Sequence, residues 1–133
     1  MANRFILNET SYFGCGARAE LKNEIAARGF KKAFIVADKD LIKFGIVDMV
    51  TSELGGISYD IFSDFKANPT VKNVKAGLAA FKASGADFII AIGGGSSIDT
   101  SKGVAIVANN PEFADIVSLE GTAATKKKCV PII

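Results

Sequence analysis

The chain has 133 residues, 49% of them hydrophobic and 23% charged, which suits one domain with a real core and excludes a disordered or fibrous chain. Its net charge of +2 is too small a field to argue for nucleic acid or an anionic membrane as partner, and the basic run Lys126, Lys127, Lys128 reads as a solvated loop. There is no histidine, so the commonest general base and the commonest metal ligand are both missing.

No apolar run approaches the roughly 18 residues needed to cross a bilayer. The opening MANRFILNET has one arginine and a very short apolar patch, unlike a signal peptide. Cys15 and Cys129 lie far apart without metal-binding or CxxC spacing, so a reducing, cytoplasmic setting is expected.

Residues 4–7 and 11–13 read as two short extended segments around a polar Asn8-Glu9-Thr10 turn, and Gly14-Cys15-Gly16 breaks the chain. Over residues 17–28 the apolar positions Ala19, Leu21, Ile25 and Ala26 share one helical face, and Gly29 ends the helix. AFIVA, residues 33–37, is a continuous apolar run closed by Asp38, as expected for a strand buried on both faces. A helical region at 39–54, broken near Gly45, stops at Gly55-Gly56, and residues 58–62 read as a strand.

Asn68-Pro69-Thr70 is a turn able to start the helix predicted over 71–84, which Gly85 terminates. Residues 88–92 form the second buried strand, and 97–108 are helical up to the stop Asn109-Asn110-Pro111. A last strand is expected at 130–133. Nearly all-apolar strands alternating with helices predict an α/β fold, a mostly parallel sheet with helices on both faces.

In such sheets ligands sit beyond the carboxyl ends of the strands, where Gly93, Gly94, Gly95 and Ser96 join a buried strand to a helix. Without side chains, backbone amides there can approach a phosphate, and the helix offers unpaired N–H groups and a positive dipole end. Ser96 or Ser97 can cap that helix while keeping a hydroxyl for a phosphate oxygen. The competing reading is a tight turn with no ligand, for which one glycine would suffice. Neither GxGxxG nor the Walker pattern is matched; the former would need glycine in place of Ile98.

Asp38 ends its strand on the same rim. It can accept the ribose hydroxyls of an adenosine moiety and repel a 2′-phosphate, or it can simply cap the helix that follows. Asp99 and Lys102 can form an i,i+3 ion pair on the helix surface, or fix the geometry of the turn. The Asn68-Pro69-Thr70 turn can serve simply as a helix start, but its position after a strand also puts it on the ligand rim.

The stretch AIGGGSSIDTSK, the strand-ending Asp38 and the Asn68-Pro69 turn together resemble the iron-containing alcohol dehydrogenases, whose GGGSxxDxxK pattern is matched from Gly93 to Lys102. The resemblance implies a dinucleotide-binding domain like that of the dehydroquinate synthases, followed in the family by a helical domain that holds iron or another divalent metal. It makes these 133 residues the NAD-binding first third of such an enzyme.

On that basis Asp38 binds the adenosine ribose, Asn68 borders the adenine and ribose, and Gly94, Gly95, Ser96 and Ser97 cradle the pyrophosphate, with Asp99 and Lys102 supporting the turn. The cofactors implied are NAD and, in the longer protein, iron, bound by an aspartate and three histidines that this chain does not supply. The implied partners are a small alcohol or aldehyde and further copies of the chain, without nucleic acid or membrane; the chain alone is expected to be inactive. The alternatives are the nucleotide domain of a glycerol dehydrogenase or dehydroquinate synthase relative, and a stand-alone nucleotide-binding module.

Overall fold

The computed structural model describes residues 9–119 and 124–133; the extended segment expected at 4–7 lies outside them. Strand β1 (Lys32–Ala37) is the centre of a three-stranded parallel sheet, flanked by β2 (Ser58–Phe62) and β3 (Phe88–Ile92). The register is unbroken, from Lys32 opposite Ser58 to Val36 opposite Phe62, and from Ala33 opposite Phe88 to Ala37 opposite Ile92.

The expected burial on both faces holds, and the period of two explains it. Ala33, Ile35 and Ala37 point into one core with Leu21, Ile25 and Val47, while Phe34 and Val36 point into the other with Phe62, Val74, Phe81 and Val104. The first core is covered by α1 (Glu20–Arg28) and α3 (Ile46–Thr51), the second by α4 (Val71–Ser84) and α5 (Gly95–Asn109). Helices α4 and α5 approach closely because both carry glycine at the crossing. A Cβ on Gly77 would lie 2.9 Å from Val104, and one on Gly103 would lie 3.1 Å from Val74.

Several boundaries differ from the sequence expectation. Residues 11–13 form no strand; Phe13 is 92% exposed, and Tyr12 instead donates its hydroxyl to Glu24 at 2.7 Å. A strand needs a ladder partner, and none is present there among the described residues. The first turn of the helix expected at 17–28 is a 3₁₀ turn, Ala17–Ala19, entered from Gly16 without a side-chain cap. The region after β1 splits into α2 (Lys39–Lys43) and α3, with Gly45 in the left-handed region between them, and ends at Thr51 rather than Leu54.

The last segment runs parallel to β3. Ile132 bridges Ile89, Ile89 N–H donates to the Pro131 carbonyl, and Ala91 N–H donates to that of Ile133, each at 2.9 Å. It is one bridge rather than a full strand, since Pro131 has no N–H to give the ladder. At the opposite, amino end of the sheet, Asp87 accepts from the N–H of Lys31 (2.9 Å) and of Lys32 (3.0 Å), tying β3 to β1.

Candidate functional site

The rim at the carboxyl end of the sheet is built by three turns. The register that sets Ala37 opposite Ile92 brings the next residues, Asp38 and Gly93, to the same level. Gly93 has φ 132°, and a Cβ on it would meet Ser97 Oγ at 2.8 Å and Leu41 Cδ1 at 3.1 Å. The fold therefore requires glycine at 93. Gly94 is different, with φ −91° and ψ −161°, a conformation open to any residue. Gly95 is already the first residue of α5, and a Cβ on either Gly94 or Gly95 would meet nothing within 4 Å.

One glycine thus suffices for the turn, and two are left over. They face a cleft of about 530 Å³ that also involves Asp38, Leu41, Ser96 and Ser97. The open space above them is the kind of cradle that a side chain would fill and a phosphate could use.

Helix α5 begins at Gly95, two residues before the expected start, and Gly94 is its N-cap with no side-chain cap bond. The expected capping by Ser96 or Ser97 is therefore not observed, because both lie inside the first turn. The first intrahelical bond runs from Ile98 N–H to the Gly94 carbonyl at 3.2 Å, so the amides of Gly95, Ser96 and Ser97 have no acceptor within the helix. An uncapped helix end with its amides turned to a cleft suits an anion.

Asp38 is the N-cap of α2, accepting from Asp40 N–H at 2.8 Å through Oδ1, while the same carboxylate borders the cleft. Asn68 adopts φ 57° and donates its backbone N–H to Ser96 Oγ at 3.4 Å, which lays the β2–α4 loop against the glycine turn. The Asn68-Pro69-Thr70 turn also starts the helix, as expected, through its last residue. Thr70 is the N-cap of α4, in a reciprocal box where Asn73 N–H donates to Thr70 Oγ1 and Thr70 N–H donates to Asn73 Oδ1.

Asp99 and Lys102 are exposed on α5, with no ion pair between them among the described residues, and neither borders the cleft. The buried side of that helix is Ser97, Thr100, Ser101 and Val104, which turns positions 99 and 102 outward. Sequence reading missed two contributors. Leu41 packs on Gly93, and Asn73 donates from Nδ2 to the Asp64 carbonyl at 3.3 Å, holding the start of the loop that carries Asn68. The Thr70…Asn73 spacing was the available signal for the second.

A second hollow of about 390 Å³ lies on the other side of Gly93 and is largely apolar, formed by Leu21, Val50, Ile90, Ile92 and Ile132. At its edge the Tyr12 hydroxyl, then Arg28 at 3.0 Å, hold the Glu24 carboxyl below the usual carboxylate range. The same bond pushes the Tyr12 phenol up. Among the described residues no three His, Cys, Asp or Glu side chains gather as a metal site.

The family model for iron-containing alcohol dehydrogenases matches residues 8–133. The chain belongs to that family. It is 51% identical to lactaldehyde reductase of Escherichia coli, an alignment covering 100% of this chain and 35% of that protein. An alcohol dehydrogenase from Oenococcus oeni superposes with a TM-score of 0.90 at 32% identity, over 98% of this chain and 35% of the other. Sulfoacetaldehyde reductase from Bifidobacterium kashiwanohense, solved in complex with NAD+, superposes with a TM-score of 0.77 at 30% identity, over 90% and 31%. The chain thus spans about a third of the length of these relatives. The iron of the family name finds no fit here, since no histidine is present and no donor cluster forms among the described residues.

Proposed function

We propose that this chain is the nucleotide-binding part of an NAD(H)-dependent alcohol dehydrogenase that interconverts small aldehydes and alcohols, lactaldehyde being the substrate suggested by the 51% identity. One observation carries the reading. Gly94 and Gly95 have no conformational or packing reason to be glycine, yet they open a cleft over the uncapped N-terminus of α5.

In this reading the amides of Gly95, Ser96 and Ser97 donate to pyrophosphate oxygens and the Ser96 hydroxyl adds a further donor. Asp38 keeps Oδ1 on the Asp40 amide and offers Oδ2 to a ribose hydroxyl; its charge disfavours a 2′-phosphate. Asp99 and Lys102 lie farther along α5 and outside the cleft, so in this reading their support of the turn is indirect. Bound NAD(H) supplies hydride chemistry, while these residues bind and orient its adenosine diphosphate half.

The chain supplies no donor set for a metal, so metal-assisted polarisation of a substrate oxygen belongs to other residues of a longer family member. The second reading is a nucleotide-binding module with no chemistry, which the same cleft would serve equally well. We place the protein in the cytoplasm, in keeping with two free, exposed cysteines. Self-association is expected through its exposed apolar surface, including Tyr59 and Ile61 on the edge strand β2.

Calorimetric titration of the 133-residue chain with NAD+ tests the proposal. Binding without aldehyde reduction, whether or not Fe²⁺ or Zn²⁺ is added, is the expected result. No heat and no competition at millimolar NAD+ would remove the nucleotide assignment. Metal-dependent turnover by a longer polypeptide carrying these residues separates the enzyme from the module.

A further inference from the structure

Asn68 is the one non-glycine residue with positive φ among the described residues, at 57°. The conformation is held from both sides. Upstream, the Asp64 carbonyl accepts from Asn73 Nδ2 at 3.3 Å; downstream, Thr70 is locked to the same Asn73 by reciprocal bonds, and Pro69 lies between with its φ fixed by the ring. Asparagine is among the few side-chain-bearing residues that accept the left-handed region at low cost. What this geometry achieves is a backbone contact, Asn68 N–H to Ser96 Oγ at 3.4 Å.

A serine hydroxyl has one proton to donate and two lone pairs to accept with. The Asn68 amide occupies a lone pair and leaves the proton free, and a hydroxyl that accepts one bond donates its own more strongly. Ser96 borders the cleft beside Gly94 and Gly95, so its free proton is available to an anion bound over α5.

We propose that Asn68 is a positioning residue for the phosphate end of the ligand. It acts through its left-handed backbone and Ser96 rather than through a side-chain contact with the nucleoside. The proposal rests on the nucleotide reading above and assigns a different job to the β2–α4 loop: closing the hydrogen-bond shell of the pyrophosphate from the far side of the glycine turn.

The test measures ADP affinity of the chain by calorimetry for the parent, Asn68→Gly, Asn68→Ala, Ser96→Ala and the Asn68→Ala/Ser96→Ala pair. Glycine adopts the left-handed region freely, so Asn68→Gly is expected within about twofold of the parent. Alanine pays the left-handed penalty and is expected to bind roughly fivefold more weakly. Ser96→Ala is expected to lose about tenfold, and the double variant no more than Ser96→Ala alone, since the first change acts through the second residue.

In NMR spectra the residue-68 amide should shift on adding ADP in the parent and stay still in Ser96→Ala. Equal losses for glycine and alanine, no loss for alanine, or additive losses in the double variant would each overturn the proposal while leaving the nucleotide reading intact. A parent that does not bind ADP would sink both.

Discussion

The two ends of the sheet use the same kinds of polar residue to opposite effect. At the amino end two polar side chains are spent internally. Asn110, 1% exposed at the end of α5, donates Nδ2 to the carbonyls of Ile106 and Lys127 and accepts at Oδ1 from the amides of Lys126 and Lys127. Asp87 takes the amides of Lys31 and Lys32 in the same way. At the carboxyl end the groups are left over: three uncapped amides on α5, a Ser96 proton, the second oxygen of Asp38, and two glycines that make room. Polar groups satisfied by the protein hold it together; polar groups left facing a cleft are the ones that recognise something else.

That contrast can be broken. The largest effect is expected from Asn110→Ala at the satisfied end, which strands the amides of Lys126 and Lys127 and the Lys127 carbonyl, while Ile106 keeps the backbone N–H of residue 110, and should cost about 3 kcal/mol of stability. Urea unfolding measures it, and NAD+ affinity of the folded fraction should be unchanged. A loss under about 1 kcal/mol would mean that water replaces the side chain and that the amino end is not closed as described.

The glycines divide the open end more finely. Gly93→Ala must strain φ 132° and displace Ser97 or Leu41, so about 2 kcal/mol of stability should go. Gly94→Val should be its inverse. Its extended backbone and free Cβ direction predict stability within about 0.5 kcal/mol of the parent, whereas NAD+ affinity should fall at least ~30-fold, or ~2 kcal/mol. A well-folded Gly94→Val chain with unchanged affinity would take the glycine turn out of the binding site.

The smallest effect belongs to Asp38→Gly. Glycine is tolerated as an N-cap, so only a few tenths of a kcal/mol of stability should be lost. The NADP+/NAD+ affinity ratio should nonetheless rise about tenfold as the charge facing the 2′-phosphate disappears. A ratio equal to that of the parent would leave Asp38 as a cap alone.

Strand identity was legible because five-residue apolar runs such as 33–37 and 88–92, short and bounded by polar residues or glycine, suit a parallel strand covered on both faces. The helices were legible from apolar spacing and from their glycine stops. The starts of α3 and α5 were less so, because Gly45 and Gly94 act as N-caps without a side chain to advertise them. Residues 11–13 looked like a strand because the adjacent aromatics Tyr12 and Phe13 favour one. Pairing is non-local, and nothing in three residues reveals a missing neighbour.

Within the site the residue types were readable and their jobs were not. The triple glycine, Asp38 and Asn68 stand out in the sequence because glycine density, a strand-ending acid and an Asn-Pro turn are local chemical facts. Which glycine the fold itself requires was settled only when Leu41 and Ser97 came to rest against Gly93, leaving the space over Gly94 and Gly95 empty. Likewise the sequence alone left the turn 68–70 as a helix start or part of the rim; Thr70 does the first job and Asn68 the second. Its backbone bond to Ser96, 28 positions away, exists only because two crossovers bring the β2–α4 loop and α5 to the same rim. Local composition determines which conformations a residue can adopt, and tertiary packing decides which of its atoms remain unpaired.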